Sequence, residues 1–215
     1  MIKKEVFNTL AELPKMIKVK KLLRPRPGDT RDCLGSRVAD NARRLARRSA
    51  FICEGRALNW EQFNTQANQY AAVFRAQGLK RGDTVSVLME NRIEFMVVVI
   101  ALNKLGVIAS LINTSLTGRP LMHCVEITNA SKFLFGEECL EAVAEVRDAL
   151  PLADCDYLFV PDSRQTAAPA WALDMAALAA TAATDNPPET ADVTIDDTAF
   201  YIFTSGTTGL PKAAV

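Results

Sequence analysis

Residues 84–111 read TVSVLMENRIEFMVVVIALNKLGVIASL, and their pattern indicates the architecture of the chain. Thr84–Leu88 is a short apolar run, as expected of a buried strand. We expect Asn91 to cap a helix that ends at Gly106, because a side-chain amide can accept free backbone N–H groups and glycine commonly terminates helices. A second apolar run, Val107–Leu111, follows. The stretch therefore predicts a strand, a helix and a second strand.

The same region raises the question of a membrane span. Residues 95–112 form a largely apolar run of 18 residues, which is close to the minimum length for crossing a bilayer. Asn103 and Lys104 lie near its middle, where a cation would be costly in lipid. Gly106 also separates two runs of different character. We therefore expect a buried helix and a buried strand, and no transmembrane helix.

Strand and helix patterns alternate on both sides of this unit. The predicted elements are helices at residues 36–49, 60–77, 120–129 and 137–150, a hairpin at 50–53 and 56–58, and strands at 132–135 and 157–160. Asn59 and Gln62 have the spacing of a capping box at the start of the second helix. An alanine-rich stretch, 163–183, predicts a weak surface helix. Such alternation implies an α/β fold with a parallel, doubly wound sheet.

Charge is distributed unevenly along the chain. The 25 basic and 25 acidic residues give a net charge of zero, which argues against a dedicated nucleic-acid-binding protein. Residues 1–48, however, contain 14 basic and 5 acidic residues, a surplus of nine positive charges. We accordingly divide the chain into a basic N-terminal segment and linker, 1–28, and an α/β portion, 29–215.

The basic N-terminal segment has two interpretations. Its apolar residues recur at helical spacing among lysines, so that it could form an amphipathic helix on an anionic membrane surface. A helix packed on its own domain with solvated lysines has the same pattern, and Pro14 would disturb either one. We see no signal peptide. We expect a cytoplasmic protein, either free or peripheral on the cytoplasmic face of a membrane.

The five cysteines indicate reduced thiols rather than a disulfide framework or a zinc site. Their number is odd, they are widely spaced, and no Cys-x-x-Cys pair occurs. His123 and Cys124 are adjacent, but neighbouring side chains seldom face the same way and no second pair of ligands exists. We expect no metal site within this sequence.

The strongest chemical signal is residues 200–212, FYIFTSGTTGLPK. An apolar strand leads into four hydroxyl residues, two glycines and a lysine. Glycines allow a backbone to approach a ligand closely, and consecutive amides in such a turn can bind anions. Hydroxyl groups add donors and lysine adds a mobile positive charge. The motif predicts a polyphosphate cradle, although its spacing differs from that of a Walker A loop.

Thr204–Lys212 resembles the phosphate-binding signature of the adenylate-forming, or AMP-binding, superfamily, which includes acyl-CoA synthetases, luciferases and peptide-synthetase adenylation domains. The resemblance extends over roughly residues 30–215, through segments 58–63, 82–85, 91–95 and 104–107. Leu111–Ser115 and Leu121–Cys124 resemble the fatty acid transport protein branch, the long- and very-long-chain acyl-CoA synthetases, although Ser115 stands where asparagine is expected.

The resemblance implies a two-step reaction with ATP, Mg²⁺ and coenzyme A. A fatty acid carboxylate attacks the α-phosphate of ATP, and the thiol of coenzyme A then displaces AMP from the acyl-adenylate. The residues that would hold the β- and γ-phosphates are Thr204, Ser205, Gly206, Thr207, Thr208, Gly209 and Lys212. The family places its catalytic residues downstream of this loop. We therefore expect residues 1–215 to be the N-terminal portion of a longer ligase and to be inactive alone.

Two alternative functions remain. The ligase could act on another carboxylate, such as a bile acid, carnitine or an aryl acid. The protein could instead be a non-catalytic, membrane-associated module for fatty acid uptake, an idea motivated by the basic N-terminal segment. The sequence does not indicate an oligomeric state or an acyl chain length.

Overall fold

The computed structural model describes residues 19, 25–162, 166–204 and 209–215. The strands are β1 (Ser49–Cys53), β2 (Arg56–Asn59), β3 (Thr84–Leu88), β4 (Ile108–Leu111), β5 (Lys132–Gly136), β6 (Tyr157–Val160), β7 (Leu173–Asp174), β8 (Phe200–Thr204) and β9 (Lys212–Ala214). The α-helices are α1 (Leu34–Leu45), α2 (Trp60–Ala76), α3 (Ile93–Lys104), α4 (Gly118–Ile127), α5 (Leu140–Val146) and α6 (Met175–Ala179).

Seven of the described strands form one sheet in the order β7-β6-β5-β3-β4-β8-β9. Neighbouring strands are parallel from β7 through β8, and β9 pairs antiparallel with β8. The remaining two strands, β1 and β2, form a separate antiparallel hairpin. The predicted parallel sheet is therefore confirmed, with an antiparallel strand added at one end.

The helices cover both faces of the sheet. On one face, α1, α2, α3 and α6 pack with strand residues such as Val85, Leu134 and Leu158. On the other face, α4 and α5 pack with the alternate strand residues, such as Phe133 and Phe159. Because successive strand residues point to opposite faces, a strand buried on both sides is apolar throughout. This arrangement confirms the predicted doubly wound α/β class.

Several elements begin and end where local signals place them. The Asn59–Gln62 capping box is formed, with Gln62 N donating to Asn59 Oδ1 at 2.8 Å and Asn59 N to Gln62 Oε1 at 3.0 Å. Glu54 and Gly55 both have positive φ in the hairpin turn, 48° and 77°. Gly106 has a φ of 66°, and a Cβ there would lie 2.9 Å from Arg81 Cγ. The helix, glycine and strand predicted for 95–112 are confirmed.

Three predicted helices need correction at their ends. The first is α1, which begins at Leu34 after the N-cap Cys33 and ends at Leu45 rather than residue 49. The second is α3, which has Arg92 and not Asn91 as its N-cap, without a side-chain capping bond. The third, 137–150, is helical only at Leu140–Val146, with a 3₁₀ turn on either side.

Long-range contacts account for the second and third differences. The guanidinium of Arg92 donates to the carbonyl oxygens of Val160 and Pro161, at 2.9 and 3.0 Å, which draws the chain past Asn91 before the helix begins. The hydroxyl of Tyr157 donates to the carbonyl oxygen of Arg147 at 2.9 Å. Arg147 directly follows the last residue of α5 and begins the 3₁₀ turn. The hydrogen bond from β6 therefore lies at the point where the α-helix gives way to this turn.

Of the surface helix predicted for 163–183, the described residues form only a short piece, Met175–Ala179. Leu173–Asp174 pairs with β6 as the outermost strand, and Met175, in the short helix that follows, is fully buried. Trp171 stacks on Phe135 with ring centroids 5.4 Å apart. Burial of these large side chains therefore outweighs the helix propensity of the alanines. Residues 163–165 lie outside the described residues.

The amphipathic helix predicted within residues 1–28 falls almost wholly outside the described residues and stays a prediction. None of the helices in the described ranges has the length and apolar character needed to cross a membrane.

All five cysteines are free thiols, and burial raises the pKa of Cys124 to about 11 and that of Cys139 to about 12.

Candidate functional site

The candidate site lies at the edge of the sheet where the parallel strands end. The loop after β3 leads to α3 on one face, whereas the loop after β4 leads to α4 on the other. A crevice between two such strands is the usual ligand-binding position in open α/β sheets. Strand β8 lies beside β4 and parallel to it, so its carboxyl end, Thr204, lies at the same edge of the sheet.

The structure places the two ends of the motif opposite each other. Thr204 is the last residue of β8 and Lys212 the first of β9, and the two are paired in the antiparallel register. Both are exposed. Gly209 has a φ of 89°, a left-handed conformation that favours glycine, so this glycine shapes the return of the loop. Residues 205–208, which include Ser205, Gly206, Thr207 and Thr208, lie outside the described residues.

Helix α4 contacts the segment that leads into β9. Nε2 of His123 lies 3.1 Å from the carbonyl oxygen of Pro211, the residue before Lys212. Cys124 is fully buried in the core, so the two adjacent side chains face different ways, as predicted. A cleft of about 260 Å³ separates the start of α4 from the motif, with Leu116 and Pro120 on one wall and Phe203 and Pro211 on the other.

Polar side chains connect the loops after β3 and β4. The hydroxyl of Thr114 donates to Oε1 of Glu90 at 2.7 Å, which joins the two sides of the crevice. Oδ1 of Asn113 accepts bonds from the backbone N–H and the hydroxyl of Ser115, at 3.0 and 2.9 Å. These bonds define the conformation of the β4–α4 loop beside the motif. Glu90 and Thr114 are 24 residues apart, so no local pattern in the sequence indicates their contact.

Arg92, whose side chain is 8% exposed, ties two further loops to the loop after β3. Besides its bonds to the β6 end, Arg92 lies 3.5 Å from Glu138 and 3.3 Å from Glu94. Oε1 of Glu138 in turn accepts from the backbone N–H of Glu90 at 2.7 Å. The loops after β3, β5 and β6 are therefore held by one charged network. Apart from the Arg92–Glu94 pair, its contacts join residues far apart in sequence, so no local pattern could have revealed the network.

The described part of the motif suits a polyphosphate ligand chemically. A hydroxyl at Thr204 and an ammonium at Lys212 provide a donor and a positive charge from opposite sides of a loop that starts and ends at the strand pair. Hydrogen bonds from charged donors to phosphate oxygens are short and strong. Such an arrangement can hold a phosphate chain and offset negative charge that develops as a bond to phosphorus breaks.

Comparison with known proteins gives a consistent result. The model of a family described as "AMP-binding enzyme" matches residues 38–215. Long-chain fatty acid transport protein 1 of Mus musculus is 35% identical over 192 residues, which is 88% of this chain and 29% of the relative. The medium/long-chain-fatty-acid–CoA ligase FadD6 of Mycobacterium tuberculosis is 33% identical over 182 residues, 85% of this chain and 28% of the relative. The chain thus spans less than a third of these relatives.

Solved structures agree on the fold. The anthranilate CoA ligase AuaEII, in complex with anthranoyl-AMP, has a TM-score of 0.77 and 23% identity, with 87% of this chain and 35% of that chain covered. The N-terminal domain of FACL13 from Mycobacterium tuberculosis has a TM-score of 0.70 and 24% identity, with 84% and 43% covered. At these identities the likeness concerns the fold. The family match, which includes the strand pair that carries Thr204 and Lys212, shows that the chain belongs to the AMP-binding enzyme family.

Proposed function

We propose that this chain provides the phosphate-binding part of an ATP-dependent, AMP-forming ligase that joins long- or very-long-chain fatty acids to coenzyme A. The observation that carries the proposal is the pairing of Thr204 with Lys212 at the carboxyl end of β8, which brings the two ends of the glycine- and threonine-rich motif together at this edge of the sheet. The fatty acid specificity is supported by the names of the relatives at 33–35% identity, a fatty acid transport protein and a fatty-acid–CoA ligase.

The proposed chemistry has two steps. The fatty acid carboxylate attacks the α-phosphorus of ATP, and the bond to the β-phosphate oxygen breaks with release of pyrophosphate. The coenzyme A thiol, after loss of its proton, then attacks the acyl carbon, and AMP leaves. Both reactants of the first step are anions, so the site must offset charge and align the groups.

The residues of the motif would act on the phosphate chain. We assign the β- and γ-phosphates to Thr204, Ser205, Gly206, Thr207, Thr208, Gly209 and Lys212. Mg²⁺, when bound with ATP, would offset part of the phosphate charge. Lys212 is exposed at the start of β9. It need not act as a nucleophile, because the carboxylate and the coenzyme A thiol are the nucleophiles of the two steps. Its role would be to bind the departing pyrophosphate, so it would serve the first step and not the second.

The test separates the two steps in the full-length protein. Lys212→Ala should slow adenylate formation, measured as fatty-acid-dependent ATP–pyrophosphate exchange, by on the order of 100-fold. Thiolysis of a supplied acyl-adenylate should change much less. Lys80→Ala is a matched control, because Lys80 is also exposed but lies in the turn before β3, at the opposite edge of the sheet. Equal losses in both steps would show that Lys212 has a structural role or acts in the second step.

The choice of carboxylate needs a separate experiment. Turnover of oleate by the full-length protein, compared with that of cholate, carnitine and benzoate, would distinguish a fatty acid ligase from a ligase for another acid. We expect oleate to be the best of these substrates. Absence of oleate turnover, with activity on another acid, would refute the fatty acid assignment and leave the adenylation chemistry intact.

The surplus of nine positive charges in residues 1–48 supports a further proposal, peripheral contact with an anionic membrane. Flotation with vesicles should show binding that needs anionic lipid, weakens with salt and disappears when residues 1–28 are deleted. Binding that is insensitive to both salt and deletion would refute it. This contact is compatible with catalysis, because long-chain fatty acids partition into membranes.

A further inference from the structure

A histidine outside the glycine-rich motif contacts the segment that carries its lysine. His123 is the single histidine among the 215 residues and lies in the second turn of α4. Its Nε2 is 3.1 Å from the carbonyl oxygen of Pro211, which is 88 residues away in sequence. A carbonyl oxygen can only accept a hydrogen bond, so Nε2 must carry the proton and donate it.

The position of the histidine is fixed by the core. Its neighbours Leu121, Cys124 and Val125 are at most 2% exposed and anchor α4 to the underside of the sheet. His123 itself is half-buried, between this core and the returning strand. Its side chain therefore projects from a well-packed helix rather than from a mobile loop. Contacts made by such a side chain can set the position of a less constrained segment.

The segment that it contacts has few other backbone constraints. Pro211 has no N–H group, so its carbonyl oxygen is its only backbone hydrogen-bonding group. The next residue, Lys212, is the first to enter the ladder with β8, opposite Thr204. The backbone at the base of Lys212 is thus held by the strand pair on one side and by His123 on the other.

We propose that His123 is a positioning residue that holds the Pro211–Lys212 backbone so that the Lys212 ammonium reaches the phosphate chain. The proposal rests on the function proposed above for the motif. It assigns His123 a hydrogen-bonding role and no transfer of a proton. Both the neutral ring with its proton on Nε2 and the imidazolium can donate this bond, so the contact does not require a particular charge on the ring.

Binding of inorganic pyrophosphate to the full-length protein, measured by calorimetry, provides the test. His123→Ala should weaken binding about fivefold, the effect of one lost hydrogen bond. His123→Gln should bind within about twofold of wild type, because its side-chain amide N–H lies the same number of bonds from the backbone as Nε2. Glu126→Ala is the matched control, since Glu126 is exposed on the same helix, and should bind as wild type does.

Kinetics should show the same pattern. In His123→Ala, the KM for ATP in the exchange reaction should rise about fivefold, and thiolysis of a supplied acyl-adenylate should be unchanged. A purely structural role would instead lower both half-reactions together, and His123→Gln would not restore them. Either equal pyrophosphate affinities of wild type and His123→Ala, or failure of the glutamine variant to restore binding, would overturn the positioning role.

A spectroscopic measurement covers the case in which His123→Ala does not fold. The ¹⁵N shifts of the histidine ring in the wild-type protein should show a protonated Nε2 at neutral pH, and a proton on Nδ1 alone would overturn the proposal. A wild-type protein that does not bind pyrophosphate would refute the proposed function together with this inference. If the wild-type protein and His123→Ala both bind pyrophosphate with the same affinity, only the inference about His123 is refuted.

Discussion

Helix α3 has a buried cation at each end, and the two are stabilised in opposite ways. Arg92, the N-cap, has a side chain that is 8% exposed and forms ion pairs with Glu94, Glu138 and Asp162 at 3.3, 3.5 and 3.7 Å. Lys104, the last residue of the helix, is fully buried. Among the described residues, no carboxylate lies within ion-pair distance of its ammonium, which instead donates to two amide oxygens.

The amide partners of Lys104 come from separate parts of the chain. Nζ donates to Oδ1 of Asn64, on α2, at 2.8 Å and to Oδ1 of Asn186 at 2.6 Å. Burial lowers the pKa of Lys104 to about 8. Gly35 allows the close approach of α1, since a Cβ there would lie 2.5 Å from Lys104 Cγ. The lysine thus links three segments without a counter-charge.

The helix dipole explains the difference. The N-terminus of a helix carries partial positive charge, which repels the guanidinium of Arg92. Carboxylates are therefore needed to offset the charges of the helix terminus and of the guanidinium. The C-terminus carries partial negative charge, which favours Lys104, so neutral acceptors are sufficient. Arg92 lies at the edge of the candidate site and Lys104 at the opposite edge. A charged network therefore organises the loops of the site, and amide hydrogen bonds close the far end of the same helix.

Removal of Arg92 should have the largest effect on stability. Arg92→Ala leaves Glu138 without its arginine partner, removes one of the two arginines beside Glu94 and leaves two backbone carbonyls without a donor, so we expect a loss of about 3–5 kcal/mol in the free energy of unfolding, measured with urea. Arg75→Ala is the control, because Arg75 is exposed and pairs with Glu189 at 3.7 Å, and should cost less than about 1 kcal/mol. Similar losses in the two variants would contradict the role given to Arg92.

Lys104 should make stability depend on pH in the alkaline range. The unfolded chain holds this proton up to about pH 10.5, whereas the folded chain releases it near pH 8. Folding therefore becomes more favourable as the pH rises between these values, by up to roughly 3 kcal/mol relative to Lys104→Met. Urea unfolding of both proteins at pH 7 and pH 10 measures this difference. Asn186→Asp, which supplies a carboxylate, should reduce the rise; a constant difference between wild type and Lys104→Met would refute the explanation.

Glu94→Gln should have the smallest effect and would sharpen the comparison. Burial raises the pKa of Glu94, but the hydrogen bond from Arg56 and the charges of Arg56 and Arg92 outweigh burial and lower it below its ordinary value. Its charge thus stabilises the fold at neutral pH, and we expect the variant to lose about 1 kcal/mol at pH 7. This loss should disappear as the pH falls through the lowered pKa of Glu94. A loss that is equal at pH 7 and pH 3 would show that shape rather than charge matters at this position.

Local interactions explain the predictions that were confirmed. The Asn59–Gln62 capping box, the Glu54-Gly55 turn and the strand Tyr157–Val160 each depend on residues within a few positions of one another. Their patterns could therefore be interpreted without knowledge of the rest of the chain. The glycine-rich motif was also identified from consecutive residues, and its phosphate-binding role stays a prediction. The structure adds that Thr204 and Lys212 are paired in the register of β8 and β9.

Contacts between distant residues explain the predictions that failed. Arg92 replaces Asn91 as the N-cap because its hydrogen-bonding partners lie 68 and 69 residues away. The alanine-rich stretch became a strand and a short helix because Trp171 and Met175 pack into cores formed by other elements. His123 was compared only with its neighbour Cys124 as a metal ligand, and its actual partner is 88 residues away.

The sequence by itself determined the α/β class, most strand positions and the membership of the adenylate-forming superfamily, since each is recorded in local runs of residues. Only the tertiary structure decided how Lys104 could be buried, which residue begins α3 and what holds the base of Lys212. These depend on pairs brought together by the fold, such as Lys104 with Asn64 and His123 with Pro211. The free energy of such a pair depends on burial and distance, which no run of neighbouring residues specifies.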